Sequence, residues 1–324
     1  ASLHNLAPVI LSAGRAEVQI GFNRRVSTAA GTNMQPNAAG SSVPWVDVLR
    51  LDRADGRPLA VLFSHAAHAV AAHVGSTEIT ADYPGYAVQA VRQRLGGGVV
   101  AMFSQGCCGD INVDPVGGGH PAAARAGAVL GEAAATAAEN ARPLAAGPLR
   151  VATRRFYLPF EPLDMEVIAA IQARAEEGRA ALQAAAALRP DATKSALWEN
   201  RELALWAERM QALAQEGNAL PGLPFEVQGF ALGPDMALLG LTHEVFSAYQ
   251  LYLQQHSPFA QTMVFGYTNG CADYIPTAEA FLLGGYEVQG APKKYGWPPL
   301  QPVCERLVKQ SGLEVLQELK KGYA

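Results

Sequence analysis

Residues 99–112 read VVAMFSQGCCGDIN. An apolar run, Val99 to Phe103, leads directly into Ser-Gln-Gly, a cysteine pair and Gly-Asp-Ile-Asn. A short apolar stretch without charges fits a strand covered on both faces. A dense polar cluster at its end fits the mouth of a site. The pattern recurs three times. Leu59–Phe63 (LAVLF) precedes SHAAH, Met236–Leu241 (MALLGL) precedes THE, and Thr262–Phe265 (TMVF) precedes GYTNGCADY. Helical periodicity follows several of these runs, over Tyr86–Leu95, Ala122–Ala141 and Phe246–Gln255. Strands alternating with helices predict an α/β fold, with a mixed sheet flanked by helices. In such sheets ligands bind beyond the carboxyl ends of the strands, which is where every polar cluster falls.

The rest of the chain is read as one catalytic domain over 1–324 with one insertion. Met165 to Asn218 is rich in Ala, Glu, Arg, Gln and Leu and is interrupted by RPDATK at 189–194. It predicts a helical hairpin, with Trp198, Leu205 and Met210 on its apolar stripe. A charged amphipathic helix is expected over Pro302–Lys321. Gly- and Pro-rich patches at 114–121 and 290–302 read as surface loops. The start, ASLHNLAP, reads as the end of a helix in progress, capped at Asn5 and stopped at Pro8, so upstream sequence is expected.

A formal charge of −4 and the lack of any Lys/Arg cluster leave no footprint for nucleic acid. No apolar run is long enough to span a bilayer. Four cysteines in 324 residues do not form a disulfide scaffold, and their spacing matches no zinc finger. Such usage points to a reducing compartment, the cytoplasm.

Several side chains are candidates for chemistry. Ser104 in FSQG follows a strand, as a nucleophile elbow would, but Met102 stands where the elbow needs glycine. Cys107 or Cys108 becomes a thiolate nucleophile only with a histidine beside it. His65, His68 and His73 follow one strand closely, and neutral imidazoles at a strand end suit zinc. HAAH lacks the glutamate of a zincin helix. His243 and Glu244 complete a His/Glu metal set or simply start a helix. Asp110 either stabilises a turn or orients a ligand histidine. Tyr274 carries no local signal of its own.

In order along the chain, NLAP at 5–8, GFNRR at 21–25, LFSHAAH at 62–68, ADYPGYA at 81–87, FSQGCCGDIN at 103–112, GLTHE at 240–244, NGCADYIPTAEAF at 269–281 and GGYE at 284–287 resemble motifs of the neutral/alkaline non-lysosomal ceramidases and their bacterial relatives. These are zinc amidases whose metal is held by two His, one Glu and one Tyr. The resemblance implies a Zn2+ site with His65, Glu244 and Tyr274 as ligands, and a phenol able to hydrogen-bond an oxyanion. The family's first zinc histidine sits in an HTHSGP-like motif upstream of this chain's start, so an upstream segment or a partner would supply it. The family nucleophile, the serine of Gly-Asp-Val-Ser-Pro-Asn, falls on Asn112, and an amide cannot attack. The expectation is therefore a metal-activated water as nucleophile. Asn112, Asp110 and Tyr274 would assist it, with Gly106, Gly109 and His68 around the substrate oxyanion. A small-molecule or lipid amide, or an ester, is the expected substrate, with ceramide itself disfavoured because the family's C-terminal β-sandwich is not matched. Two alternatives stand beside this reading: a ceramidase-like binding protein without catalysis, and a serine hydrolase using Ser104.

Overall fold

Side-chain alternation along the strand Trp45–Arg53 sets the layering. Val46 and Val48 join one apolar cluster, whereas Leu49 and Leu51 join another. Successive residues of a strand point to opposite faces, so this sheet is covered on both sides. The structure, a computed structural model, describes residues 6–29, 31–73, 77–215 and 220–323. The expected helix end at Asn5 lies outside them.

The first sheet runs in the order Val100–Gln105, Pro58–His65, Trp45–Arg53, Val9–Glu17 and Arg142–Pro143. Only its first pair is parallel. The second runs Gln261–Phe265, Met236–Leu241, Leu223–Leu232 and Leu149–Leu158, again with only the first pair parallel. The fold is thus α/β with mixed sheets and flanking helices, and there are two principal sheets. They stack through Ala13, Leu49 and Leu62 from one and Met236, Met263 and Phe265 from the other. The helices Asp82–Leu95 and Gly119–Glu139 cover the outer face of the first, packing Ala87, Val91 and Leu130 with Val61 and Phe63. The C-terminal helix Cys304–Lys321 covers the second, where Val315 and Leu319 meet Val227 and Leu239. Gly229 lets it approach, since a Cβ there would lie 2.6 Å from Val315 Cγ1. The result is four layers, helix–sheet–sheet–helix.

Each parallel pair is one βαβ unit. Pro58–His65 connects through the helix Asp82–Leu95 to Val100–Gln105. Met236–Leu241 connects through the helix Ser247–Gln255 to Gln261–Phe265. Two small sheets lie beyond the strand ends. One pairs Gly31–Asn37, Gly21–Thr28 and Ile111–Val113, and the other pairs Glu244–Val245 with Tyr274–Ile275.

The segment after residue 164 forms two helices, Met165–Leu188 and Pro190–Gln215. Asp164 caps the first by accepting from the N–H groups of Glu166 and Val167. The break shrinks from the expected six residues to Arg189, because proline is tolerated at a first helical position, where its missing N–H has no intrahelical partner to lose. The buried stripe is Ile168, Trp206, Ala207 and Met210. Trp198 and Leu205 are about half exposed, at 50% and 46%, and lie off that face. Trp206 Nε1 donates to the Trp297 carbonyl, tying the segment to the 290–302 region. That region is not a plain loop: Ala291–Tyr295 is a short helix with Ala291 and Pro292 buried. The 114–121 patch likewise ends inside a helix, which begins at Gly119. Among the described residues no helix is long and apolar enough to cross a membrane.

Leu239 is fully buried between the second sheet and the C-terminal helix, whereas Leu282 is 87% exposed. Leu239→Ala is expected to lower stability in urea titrations by about 2–5 kcal/mol. Leu282→Ala is expected to change it by no more than about 0.5 kcal/mol.

Candidate functional site

The two βαβ units point their strand ends at each other, and backbone hydrogen bonds stitch the ends together. The Gly106 N–H donates to the His65 carbonyl at 2.9 Å, and the Gly266 N–H to the Gln105 carbonyl at 3.1 Å. The Gly109 N–H donates to the Val245 carbonyl at 2.9 Å, which docks the Cys-Cys-Gly loop of one half on the Glu244 segment of the other. Gly109 is required there, because a Cβ would stand 2.4 Å from the Glu244 carbonyl oxygen. Two register pairs then set the side chains: His68 bridges to Asn112, and Glu244 pairs with Tyr274.

At the centre His68 Nε2 lies 2.9 Å from Glu244 Oε2. His68 Nδ1 is 2.8 Å from the Ile111 carbonyl. A carbonyl can only accept, so Nδ1 carries a proton and Nε2 faces the cluster. Three phenols surround the pair. Tyr267 Oη is 2.8 Å from Glu244 Oε2 and 3.2 Å from His68 Nε2. Tyr274 Oη is 3.3 Å from His68 Nε2. Tyr295 Oη donates to Glu244 Oε1 at 2.6 Å. Two thiols border the cluster: Cys108 Sγ is 3.4 Å from Tyr267 Oη, and Cys271 Sγ is 3.7 Å from Tyr295 Oη.

Burial works against both charges of the pair, and their neighbours overcome it. On Glu244 the hydrogen bonds from His68 and Tyr295 outweigh burial and bring the carboxyl pKa down to about 2. On His68 burial is opposed by Cys108 and Glu244, which raise the imidazole pKa to about 10. Burial also raises the Tyr267 and Tyr274 phenols and keeps them protonated. Asp273, behind Tyr274, is raised to about 8 by burial, and its Oδ2 has no partner.

A cationic wall completes the site. Arg24 Nε donates to Glu287 Oε1 at 2.8 Å and Arg24 Nη1 to Asn112 Oδ1 at 3.1 Å. Its guanidinium carbon lies 5.4 Å from the Tyr274 ring centroid. Arg24 Nη2 is buried without a partner. Arg25 shares the same Glu287 carboxylate and also donates to the Gly284 carbonyl. Arg24, Arg25 and Glu287 are all buried. GFNRR and GGYE therefore meet through one ion-paired cluster.

The sequence-expected residues divide. His68, Glu244 and Tyr274 converge, and Asn112 joins them through His68 and Arg24. His65 does not. Its Nδ1 bonds the Trp45 carbonyl at 2.9 Å, its Nε2 is buried with no partner, and burial lowers its pKa to about 4. The ring follows the strand into the first half and shares no bond with Glu244 or Tyr274. Three residues on, past the strand end, His68 takes the place expected of His65. Asp110 is a latch: it accepts from Asn23 Nδ2 at 2.9 Å, Ser247 N at 2.7 Å and Ser247 Oγ at 3.0 Å, and bonds no histidine. Gly106 and Gly109 are not oxyanion donors, since each N–H is already given to a carbonyl. His243 turns away, between the Pro224 carbonyl at 2.8 Å and the Ala272 N–H at 3.0 Å. His73 is exposed in a separate hollow beside Asp82. Ser104 lies within an extended strand, opposite Ser64, and no described histidine bonds it. The Cys107 thiol is buried in the core, its pKa pushed up by burial. Among the described residues no three His, Cys, Asp or Glu side chains converge as a metal site. Sequence reading missed Arg24, Glu287, Tyr267 and Tyr295. Adjacent arginines inside a short strand were the one available signal; the tyrosines had none.

No protein-family model and no curated protein sequence matches the chain. Solved structures do match its fold. The crystal structure of neutral ceramidase from Pseudomonas aeruginosa superposes with a TM-score of 0.67 at 18% identity, over 99% of this chain and 54% of that one. A ceramidase complexed with C2 gives 0.66 at 17% identity, over 99% and 55%. The chain thus has the fold of these structures and spans about half their length.

The pair makes the protein's stability depend on pH from both sides. The depressed Glu244 contributes stability that is present above its ordinary 4.5 and lost as pH falls toward about 2. The raised His68 contributes stability that is present below 6.5 and lost as pH rises through about 10. In urea titrations this pair's contribution to stability should be greatest between about pH 4.5 and 6.5, read as the difference between the parent chain and Glu244→Gln. Glu244→Gln should flatten the profile at both ends.

Proposed function

We propose that this chain is the core of a metal-dependent hydrolase that cleaves an N-acyl amide bond. The observation that carries this reading is the convergence of Glu244 and Tyr274 on His68 Nε2, with His68 Nδ1 donating to the Ile111 carbonyl. A backbone carbonyl on the far nitrogen is the usual way a ligand histidine is oriented. The likeness in fold to neutral ceramidase supports the same reading.

An imidazole, a carboxylate and a phenol are donors of the kinds zinc takes, and His68, Glu244 and Tyr274 would hold it, with a further donor or water completing the set. A bound zinc would supply a Lewis acid and lower the pKa of water toward about 7. The chain's own groups do the rest. Tyr295 holds Glu244 Oε1 and so orients the carboxylate. Arg24 Nη1 fixes the Asn112 amide by its oxygen, which leaves the amide N–H groups to donate to a substrate carbonyl. Arg24 Nη2, buried and unpartnered, is a second donor for the oxyanion that forms when the carbonyl is attacked. Asn112, at the family's nucleophile position, has no nucleophilic atom, so a water is the nucleophile this reading expects. A small or medium acyl amide is the substrate class, with esters as the weaker alternative.

The test is turnover of a panel of N-acyl amides by the zinc-loaded protein. Glu244→Gln and His68→Ala should abolish hydrolysis, while His65→Ala should leave it within a few-fold. Arg24→Met should lower kcat by about 10²–10³ with little change in KM. Turnover that survives both chelation and Glu244→Gln would refute the metal mechanism. Tight amide binding with no turnover would favour a binding protein.

A further inference from the structure

We propose that Lys294, held against Trp198 and Tyr286 at the rim of the site, selects acyl amides that carry a carboxylate several bonds from the scissile carbonyl. The proposal rests on the hydrolase reading above and deepens it by naming the substrate class.

The path from the centre to this lysine runs through rings. Tyr274 Oη is 3.3 Å from His68 Nε2, and the Tyr274 ring meets that of Tyr286 edge to face, with centroids 5.7 Å apart. Lys294 Nζ lies 5.0 Å from the Tyr286 centroid and 5.5 Å from the Trp198 ring. The next residue in the chain, Tyr295, donates to Glu244 Oε1. The lysine thus sits on the same short helix, Ala291–Tyr295, that orients the central carboxylate. A ligand extending from His68 along Tyr274 and Tyr286 arrives at an exposed ammonium.

The helical hairpin supplies the second observation. Trp206 is 4% exposed and donates to the Trp297 carbonyl at 2.8 Å, while Lys293 Nζ lies 5.7 Å from its ring. The Arg209 guanidinium lies 5.2 Å from the Trp297 ring, which stacks on Phe160. These contacts fix the helix Pro190–Gln215 against the 291–297 segment. Trp198, about two turns before Trp206 on that helix, is thereby placed at Lys294 and left half exposed. Core packing does not account for a tryptophan in that position. A ring face attracts a cation through its quadrupole without neutralising it. Lys294 is therefore positioned and still carries its charge for an incoming anion.

The surrounding charge agrees. Arg24 and Arg25 share the single carboxylate of Glu287, and Lys293 and Lys294 follow a few residues later. Burial lowers the pKa of Lys293, so its charged form also gains from an anion nearby. An uncharged tail draws nothing from this rim beyond ring contact, whereas a carboxylate draws on every cation in it.

The test uses two N-acyl amides of equal length, one ending in a carboxylate and one in the neutral carboxamide. Calorimetry on the full chain reads binding, and turnover is read separately with zinc added. The carboxylate should bind at least about tenfold more tightly at low salt, and high salt should erode that advantage. Lys294→Met should erase it, raising KM for the carboxylate rather than lowering kcat. Lys294→Arg should keep it. Lys294→Glu should reverse it in favour of an amide ending in an ammonium group. Equal binding of the two amides, no binding of either, or an advantage that survives Lys294→Met would overturn the proposal, and turnover would then decide the hydrolase reading by itself. An advantage that depends on Lys294, with neither amide turned over, would overturn the hydrolase reading and leave the anion subsite standing.

Discussion

The contact between His68 Nε2 and Glu244 Oε2 joins the two halves of the molecule with side chains only 15% and 8% exposed. His68 comes from the end of one βαβ unit and Glu244 from the end of the other. Two charged groups so far from water are tolerated only when their remaining hydrogen-bonding capacity is met. The Ile111 carbonyl, Tyr267 and Tyr295 meet it. Each of those is held in turn by an element that must be in place: the Gly109 loop, the strained turn after Phe265, and the short helix ending at Tyr295. The pair is thus both a seam and the reason that the surrounding loops take unusual backbone shapes.

Behind it stands a second charged layer. Arg24 and Arg25 share Glu287, which leaves a surplus of positive charge beside the cluster. That surplus faces Asn112 and the Tyr274 ring. The site therefore sets a single carboxylate among an imidazole and three phenols, beside a cationic wall.

The parallel strands were legible in the sequence because burial on both faces makes them short apolar runs, as in MALLGL. The antiparallel strands were not, because they mix exposed polar positions with buried ones. LRVATRRFYL, an edge strand, reads as polar until its partner is known. The second sheet escaped notice for that reason. Around the site, the family resemblance picked out Glu244 and Tyr274, which the fold brings together, and His65, which it keeps apart from them. His65 and His68 differ only in whether the strand has ended, and three residues are below the resolution of pattern reading. Tyr267 and Tyr295 lay beyond reach entirely. Nothing local marks them, and their role comes from partners 23 and 51 positions away. Of the expected hairpin stripe only Met210 is buried; Trp198 lies off the face, and Leu205 misses it by one residue, which on a helix is about 100°.

The seam also bears on how the molecule comes together. His68 and Glu244 are 176 residues apart, and Arg24 and Glu287 are 263 apart. Closing loops of that length precedes any gain from the contacts they bring. Each βαβ unit can gather its own helix and strands early, from near neighbours. The imidazole, carboxylate and guanidinium come together only when the finished halves dock. A cluster assembled from partners this far apart in sequence is lost whenever the halves part.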